Sequence, residues 1–254
     1  MTESTNIQQP KQFRILLIGD NCIDVYQYGT VDRISPEAPI PIFVPSHSEN
    51  RDGMAGNVYA NLKALGCEVN LICGHASKKT RLIDSRSKQQ IVRIDDDVQS
   101  TPIVFDTVIP DVYDAIVISD YNKGTVSYEL ITDLIKTVTV PIFIDTKKTD
   151  LARLNGCYIK INQLEAGRAT SLPDPKWLIQ TMGEQGAFWN GYAFGAKTVE
   201  VSDVCGAGDT FLSALAYQYL NTKDMHKAIS FAIDASAITV QHLGNYAPNL
   251  EEIK

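Results

Sequence analysis

Short, continuous apolar runs punctuate this chain, and their spacing leaves few folds open. Residues 14–20 (RILLIGD) run apolar into Gly-Asp, the pattern of a strand buried on both faces of a parallel sheet. Similar runs stand at 69–73, 115–119, 141–145, 158–162 and 177–181. Between them Val58, Leu62 and Leu65 mark a helix that Gly66 closes, and residues 128–138 read as another. Strands alternating with helices imply right-handed βαβ crossovers and a mostly parallel sheet. Asn190-Gly191, flanked by Ala-Phe-Trp and Tyr-Ala-Phe, predicts a hairpin that adds antiparallel strands late in the chain. Met225, Ile229, Ala232, Ser236, Val240 and Leu243 mark a final helix over 222–243, ended by Gly244.

Two segments break the alternation. Residues 30–45 are proline-rich and extended, and 81–95 carry short β-like stretches around 85–88. Proline confines a strand to an edge, so the two read as a small separate sheet. Asp95-Asp96-Asp97 is a solvated turn rather than a metal site. Residues 74–79 read as a short connection.

The strongest chemical signal is the octet Asp203-Val204-Cys205-Gly206-Ala207-Gly208-Asp209-Thr210. Phe211, Leu215 and Tyr219 follow at a spacing of four, so a glycine-rich turn opens directly into an apolar helix. The amides of Gly206, Ala207 and Gly208 then stand at the positive end of a helix dipole, a ready anion site. Asp209 puts a carboxylate beside it, which suits phosphoryl transfer to a hydroxyl with Asp209 as base. The plain alternative is a helix cap made by Asp203 or Asp209.

The octet resembles the C-terminal signature of the ribokinase-like (PfkB) carbohydrate kinases. Residues 31–41 (VDRISPEAPIP), 119–124 (SDYNKG), 144–147 (IDTK) and 184–186 (EQG) are similar, in the same order, to segments of the bacterial D-glycero-D-manno-heptose-7-phosphate kinases. The resemblance implies a ribokinase-like α/β fold: a mostly parallel central sheet flanked by helices, with a small β-sheet lid. Residues 1–12 would be a loose tail, and 13–254 one kinase domain with lid segments at about 30–50 and 81–106.

The same resemblance implies roles. Asp20 and Asp24, at the carboxyl edge of the sheet where open α/β folds bind ligands, would grip the sugar together with Gly53 and Asn57. Met54 stands where a second glycine is usual, which bears on sugar identity. Asn162 and Glu165 resemble the motif that organises water-bound Mg²⁺ and phosphates. Thr181, Gly183 and Gly186 resemble the turn that holds the nucleotide phosphates. Ile233 replaces an asparagine usual near the adenine. Asp203 and the backbone around Gly244 match a monovalent-cation (K⁺) position of some relatives. Removed helices at 74–79 and 166–176 leave sheet faces to be covered, in an active enzyme, an oligomer or a silent relative.

Charge and composition exclude other classes. A net charge of −7 argues against a nucleic-acid partner. No run approaches a membrane span, and the polar start of the chain lacks a signal-peptide core. Five cysteines without a C-x-x-C pair read as reduced thiols of a cytoplasmic protein, and four scattered histidines make no zinc site. Arg33, Arg86, Arg93, Lys123 and Lys147 are expected to gather a second anion at the sugar pocket, with lid salt bridges as the alternative. The reading is therefore an ATP- and Mg²⁺-dependent kinase of a sugar phosphate, most similar to the heptose-7-phosphate kinases, dimeric through its lid. Another sugar or nucleoside kinase of the family, or a silent sugar- or nucleotide-binding relative, stays open.

Overall fold

In the computed structural model, residues 12–104 and 112–253 are described; all but the last residue of the expected tail at 1–12, and the end of the second lid segment at 105–106, lie outside them. One ten-stranded mixed sheet organises the chain. Its core is parallel: β1 (Arg14–Ile34) pairs with β3 (Glu68–Asp84) and β5 (Ala115–Asp120), followed by β6 (Ile142–Thr146), β7 (Tyr158–Asn162) and β8 (Leu178–Thr181). The hairpin β9 (Ala187–Trp189) and β10 (Tyr192–Phe194) extends that edge antiparallel, and Asn190 (φ 46°) and Gly191 (φ 87°) supply the turn.

Helices cover both faces. α1 (Ala55–Ala64), α4 (Ala207–Thr222) and α5 (Met225–Thr239) pack on one face around Leu17, Val117, Phe143 and Leu215. α2 (Tyr128–Thr137) covers the other with Ile18, Ile118, Ile144 and Leu151. The final helix starts at Met225, where the Asp224 side chain caps it, and not at 222, because α4 and its left-handed Lys223 cap occupy the preceding residues. The cysteines are all free.

The lid departs from expectation. It is no separate sheet: β1 and β3 run on past the core, and β2 (Pro41–Met54) and β4 (Gln90–Asp96) pair with these extensions, giving the order β2-β1-β3-β4. The lid thus comprises 21–34, 41–54, 76–84 and 90–96 rather than 30–50 and 81–106. Residues 74–79 are strand, not connection, since Asn21–Asp24 hydrogen-bond alongside Ala76–Lys79. Residues 85–88 are the turn between β3 and β4. At 166–176 the short helix α3 (Gln163–Arg168) and a loop stand in place of a layer helix.

Candidate active site

The glycine-rich turn meets the head of α4 under the base of the lid. Gly206 precedes the helix at φ 77°, and a Cβ there would meet Asn57 Nδ2 at 2.8 Å, so only glycine fits. No side chain caps this helix: Asp203 instead accepts the amides of Cys205 (3.0 Å) and Gly244 (2.9 Å), clamping two loops together. Of the three turn amides, that of Ala207 has a long internal acceptor, Val204 O at 3.4 Å.

Asp209 lies in the first turn of α4 and is 6% exposed. Asn57 Nδ2 donates to its Oδ2 at 2.8 Å, and the Tyr121 hydroxyl donates to its Oδ1 at 3.1 Å. Burial pushes its carboxyl up to about 6, against the opposing pull of the Asn57 hydrogen bond. Such a group is mostly ionised at neutral pH yet basic enough to take a proton.

On the lid side of the turn is a hollow of about 120 Å³, lined by Cys22, Asp24, Met54, Lys79, Arg81, Tyr121, Cys205, Gly206, Asp209 and Asn245. Asp24 pairs with Arg81, and a Cβ on Gly53 would sit 2.5 Å from the Asp24 carboxylate. The half-buried Lys79 has no hydrogen bond or ion pair among the described residues; its ammonium lies 5.8 Å from the Tyr121 ring centroid. Lys79, Arg81, Tyr121 and Asn245 escaped the sequence reading. The recoverable signal is register: Asp24 pairs with Lys79 and Tyr26 with Arg81, so these side chains share one face of the lid.

On the other side is a larger cleft of about 670 Å³, whose lining includes Lys160, Asn162, Thr181, Gly183, Gly186, Ala207 and Gly208 and the apolar Val199, Val201, Ile233 and Val240. Gly186 holds φ 91° with the backbone of Phe194, Gly195 and Ala196 against its Cα, so no side chain is tolerated. Lys160, also missed from sequence, is buried and pairs with Asp145 at 2.6 Å. Burial opposes charge on Asp145, but Lys160 and Lys147 hold its carboxyl below the usual range. Asn162 and Glu165 form a reciprocal capping box at the start of α3, and Glu165 also binds Lys147.

Several expected side chains stand elsewhere. Asp20 is fully engaged inside the protein, accepting the amides of Tyr121 (2.8 Å), Lys123 (3.0 Å) and Thr125 (3.2 Å), so it anchors a loop instead of gripping a sugar. Arg93 pairs with Asp95, Lys123 with Asp97, Arg86 with Asp32, and Lys147 with Asp145 and Glu165. None of these cations, nor Arg33, lines either hollow, because acids along the same strands and turns satisfy the paired ones. The lid salt bridges win, and the pocket's cations are Lys79 and Arg81. Asn57 is buried, donates one of its two Nδ2 hydrogens to Asp209 and lines neither hollow.

The family model described as pfkB family carbohydrate kinase matches residues 127–252, which include the octet. The bifunctional protein HldE of Nitratiruptor sp. is 34% identical, over 95% of this chain and 64% of its own length; that of Campylobacter jejuni is 30% identical, over 100% and 66%. The chain belongs to the PfkB family of carbohydrate kinases. It is a kinase phosphotransferase with the ribokinase-like fold.

Phosphofructokinase-2 from Escherichia coli superposes on this PfkB chain with TM-score 0.71 at 14% identity, covering 95% of this chain and 97% of that one. An Arabidopsis thaliana ribokinase solved with ribose and ATP gives TM-score 0.66 at 14% identity, covering 96% and 98%. The chain spans about two thirds of the length of the curated relatives it matches. Its alignment to the Nitratiruptor protein covers 300 positions against 254 residues here. Among the described residues no group of three His, Cys, Asp or Glu could hold a metal, and no helix is long and apolar enough to cross a membrane.

Proposed function

We propose that this PfkB chain transfers the terminal phosphate of ATP to the anomeric hydroxyl of D-glycero-D-manno-heptose 7-phosphate. The observation that carries the reading is that the Gly206–Asp209 turn lines both hollows: Gly206 and Asp209 face the lid side, Ala207 and Gly208 the larger cleft. A phosphate passing between two ligands would cross at this turn. The acceptor sugar would lie in the lid-side hollow with Asp24 and Asn245 on its hydroxyls. The nucleotide would lie in the cleft, its base against Ile233 and Val240 and its phosphates toward Gly183, Gly186 and Lys160.

Asp209 would take the proton of the attacking hydroxyl. The amides of Gly206 and Gly208, at the positive end of α4, would stabilise charge on the transferring group, with the Lys160 ammonium beneath them. A Cβ on Gly208 would sit 2.8 Å from Lys160 Nζ, which puts that charge against the turn. Mg²⁺ bound with the nucleotide would neutralise its phosphates. Asn162 and Glu165 fit as water-mediated neighbours, because each capping oxygen keeps a lone pair after its hydrogen bond. Asp203, which accepts the amides of Cys205 and Gly244, lines neither hollow, and no step is derived through a K⁺ ion there.

The free charge of Lys79, beside the Arg81–Asp24 pair, favours an acceptor that brings its own anion. The resemblance to the heptose-7-phosphate kinases names the sugar. We also infer a cytoplasmic enzyme that pairs through its lid. A thermal-shift series tests the reading: ATP with Mg²⁺ should raise the melting temperature, and heptose 7-phosphate should add to it, because ligands that bind only the folded state stabilise it. No shift with any nucleotide would overturn it.

A further inference from the structure

Tyr121 occupies an unusual position between both halves of the site. It follows β5 directly, in a loop whose amides are held by two buried carboxylates. Asp20 takes those of Tyr121, Lys123 and Thr125, and Asp120 takes that of Asn122 at 2.9 Å. Asp120 is itself braced by the Thr146 hydroxyl (2.5 Å) and by Lys148 (3.3 Å). A loop tied at every second residue cannot swing freely, so the side chain it carries is fixed relative to β1 and β6. The ring of that side chain lies near two ammonium groups, Lys147 Nζ at 5.0 Å and Lys79 Nζ at 5.8 Å from its centroid. Its hydroxyl ends on Asp209 Oδ1, while Asn57 holds Oδ2.

Two donors from different elements therefore hold the carboxylate, one on each oxygen. A carboxylate oxygen has lone pairs to spare, so each donor orients Asp209 without closing it to a substrate proton. We propose that Tyr121 is the positioning residue of the base: its hydroxyl holds Asp209 Oδ1 toward the acceptor hollow, and the loop clamped by Asp20 and Asp120 keeps it there. The inference rests on Asp209 being the base.

The phenol serves as a donor throughout the working range. Burial, together with the Asp209 charge, pushes its ionisation well above the ordinary tyrosine value. The groups that face Asp209 are Asn57 from α1, Tyr121 from the loop after β5, Asp145 from β6 and Lys160 from β7. Asp145 and burial favour the neutral acid, whereas Asn57, Lys160 and Tyr121 favour the anion. Removing the Tyr121 hydroxyl takes one donor from the anion and must raise the titration midpoint.

The test is Tyr121→Phe, which keeps the ring and its packing. With ¹³C-labelled aspartate in the ligand-free protein, the Asp209 carboxyl should titrate about one unit higher than in the wild type, the worth of a hydrogen bond to a charged group. The acid limb of kcat against pH should move up with it. At pH 6.5 kcat should fall about threefold through the titration and further through the lost positioning, and only the titration part should recover at pH 8.5, with KM for ATP unchanged. Replacing Tyr121 by 3-fluorotyrosine strengthens the donor and should move the midpoint down; this variant decides the matter alone if the phenylalanine variant fails to fold. Unmoved midpoints would overturn the proposal. A wild type without phosphotransfer to any sugar would instead overturn the functional reading, while the titration still tests the Tyr121 contact.

Discussion

Asn57, in the first turn of α1, donates from Nδ2 to Oδ2 of Asp209, in the first turn of α4, at 2.8 Å. The bond ties the element that leaves the lid to the helix that carries the candidate base. Asn61 supports it from one turn further on, donating to the Asn57 carbonyl at 2.8 Å and accepting from Thr210 Oγ1 at 2.8 Å. Position and protonation of Asp209 thus depend in part on the packing between α1 and α4.

Asp209→Asn should lower kcat about 10²–10⁴-fold, the usual worth of a general base. It should also raise stability at neutral pH. A buried carboxyl whose folded value is about 6, above an ordinary value near 4, costs stability wherever it is ionised. That cost is absent below about pH 4, grows between about pH 4 and 6, and is fully present above that. The amide removes it, a gain of about 1–3 kcal/mol at pH 8, and its Nδ2 can donate to the Tyr121 oxygen. Melting curves at pH 5 and pH 8 check this, and the gain should be larger at pH 8. A variant that melts earlier but keeps its turnover would make Asp209 merely structural.

Met54 adopts φ 52° and ψ −126°, a region natural to glycine, and its side chain is only 4% exposed and lines the acceptor hollow. Strain of this kind is worth about 1–3 kcal/mol. Met54→Gly should therefore be more stable than Met54→Ala, the reverse of the usual order, because alanine loses the packing and keeps the strain. The glycine variant should also accept bulkier sugars. Denaturant midpoints decide: an alanine variant that is the more stable would refute the strain.

Lys160→Met leaves Asp145 buried with only Lys147, 3.4 Å away, as a counter-charge. Stability should fall by about 2–3 kcal/mol, and kcat should fall with it as the turn loses its cation. Adding Asp145→Asn should restore most of the stability and none of the activity. Restored turnover in the double variant would show that Lys160 acts only as a structural partner.

The core of the sheet was plain in the sequence because its strands are buried on both faces. Tyr158–Asn162 matched residue for residue, and Ala115–Asp120 missed by one. The lid was legible only in part, since much of its strands faces solvent and reads as polar chain. Residues 74–79 read as a short connection, yet hydrogen bonds to β1 carry β3 straight through them. The site divides the same way. The octet declared itself by local spacing, whereas Lys79, Arg81 and Lys160 come to it through strand register and burial. The cations that looked available, Arg93 and Lys123, are matched by nearby aspartates.

The lid ends in two edge strands, β2 and β4, which carry exposed Val44, Val92 and Ile94, with Ile34 nearby on β1. Unpaired edges with apolar side chains seek partners, so the protein should form a homodimer through this face. Multi-angle light scattering should report twice the chain mass at high micromolar concentration, and Ile94→Lys should shift it toward monomer. A monomer at that concentration would contradict lid pairing.

The most direct test of the central claim compares acceptors. With saturating ATP and Mg²⁺, kcat/KM for D-glycero-D-manno-heptose 7-phosphate should exceed that for the free heptose, ribose and fructose by at least about 10²-fold, the scale of a charge-assisted contact made only by the phosphate. Lys79→Met should remove most of that preference and leave KM for ATP unchanged. Equal or faster turnover of an unphosphorylated sugar would contradict the account.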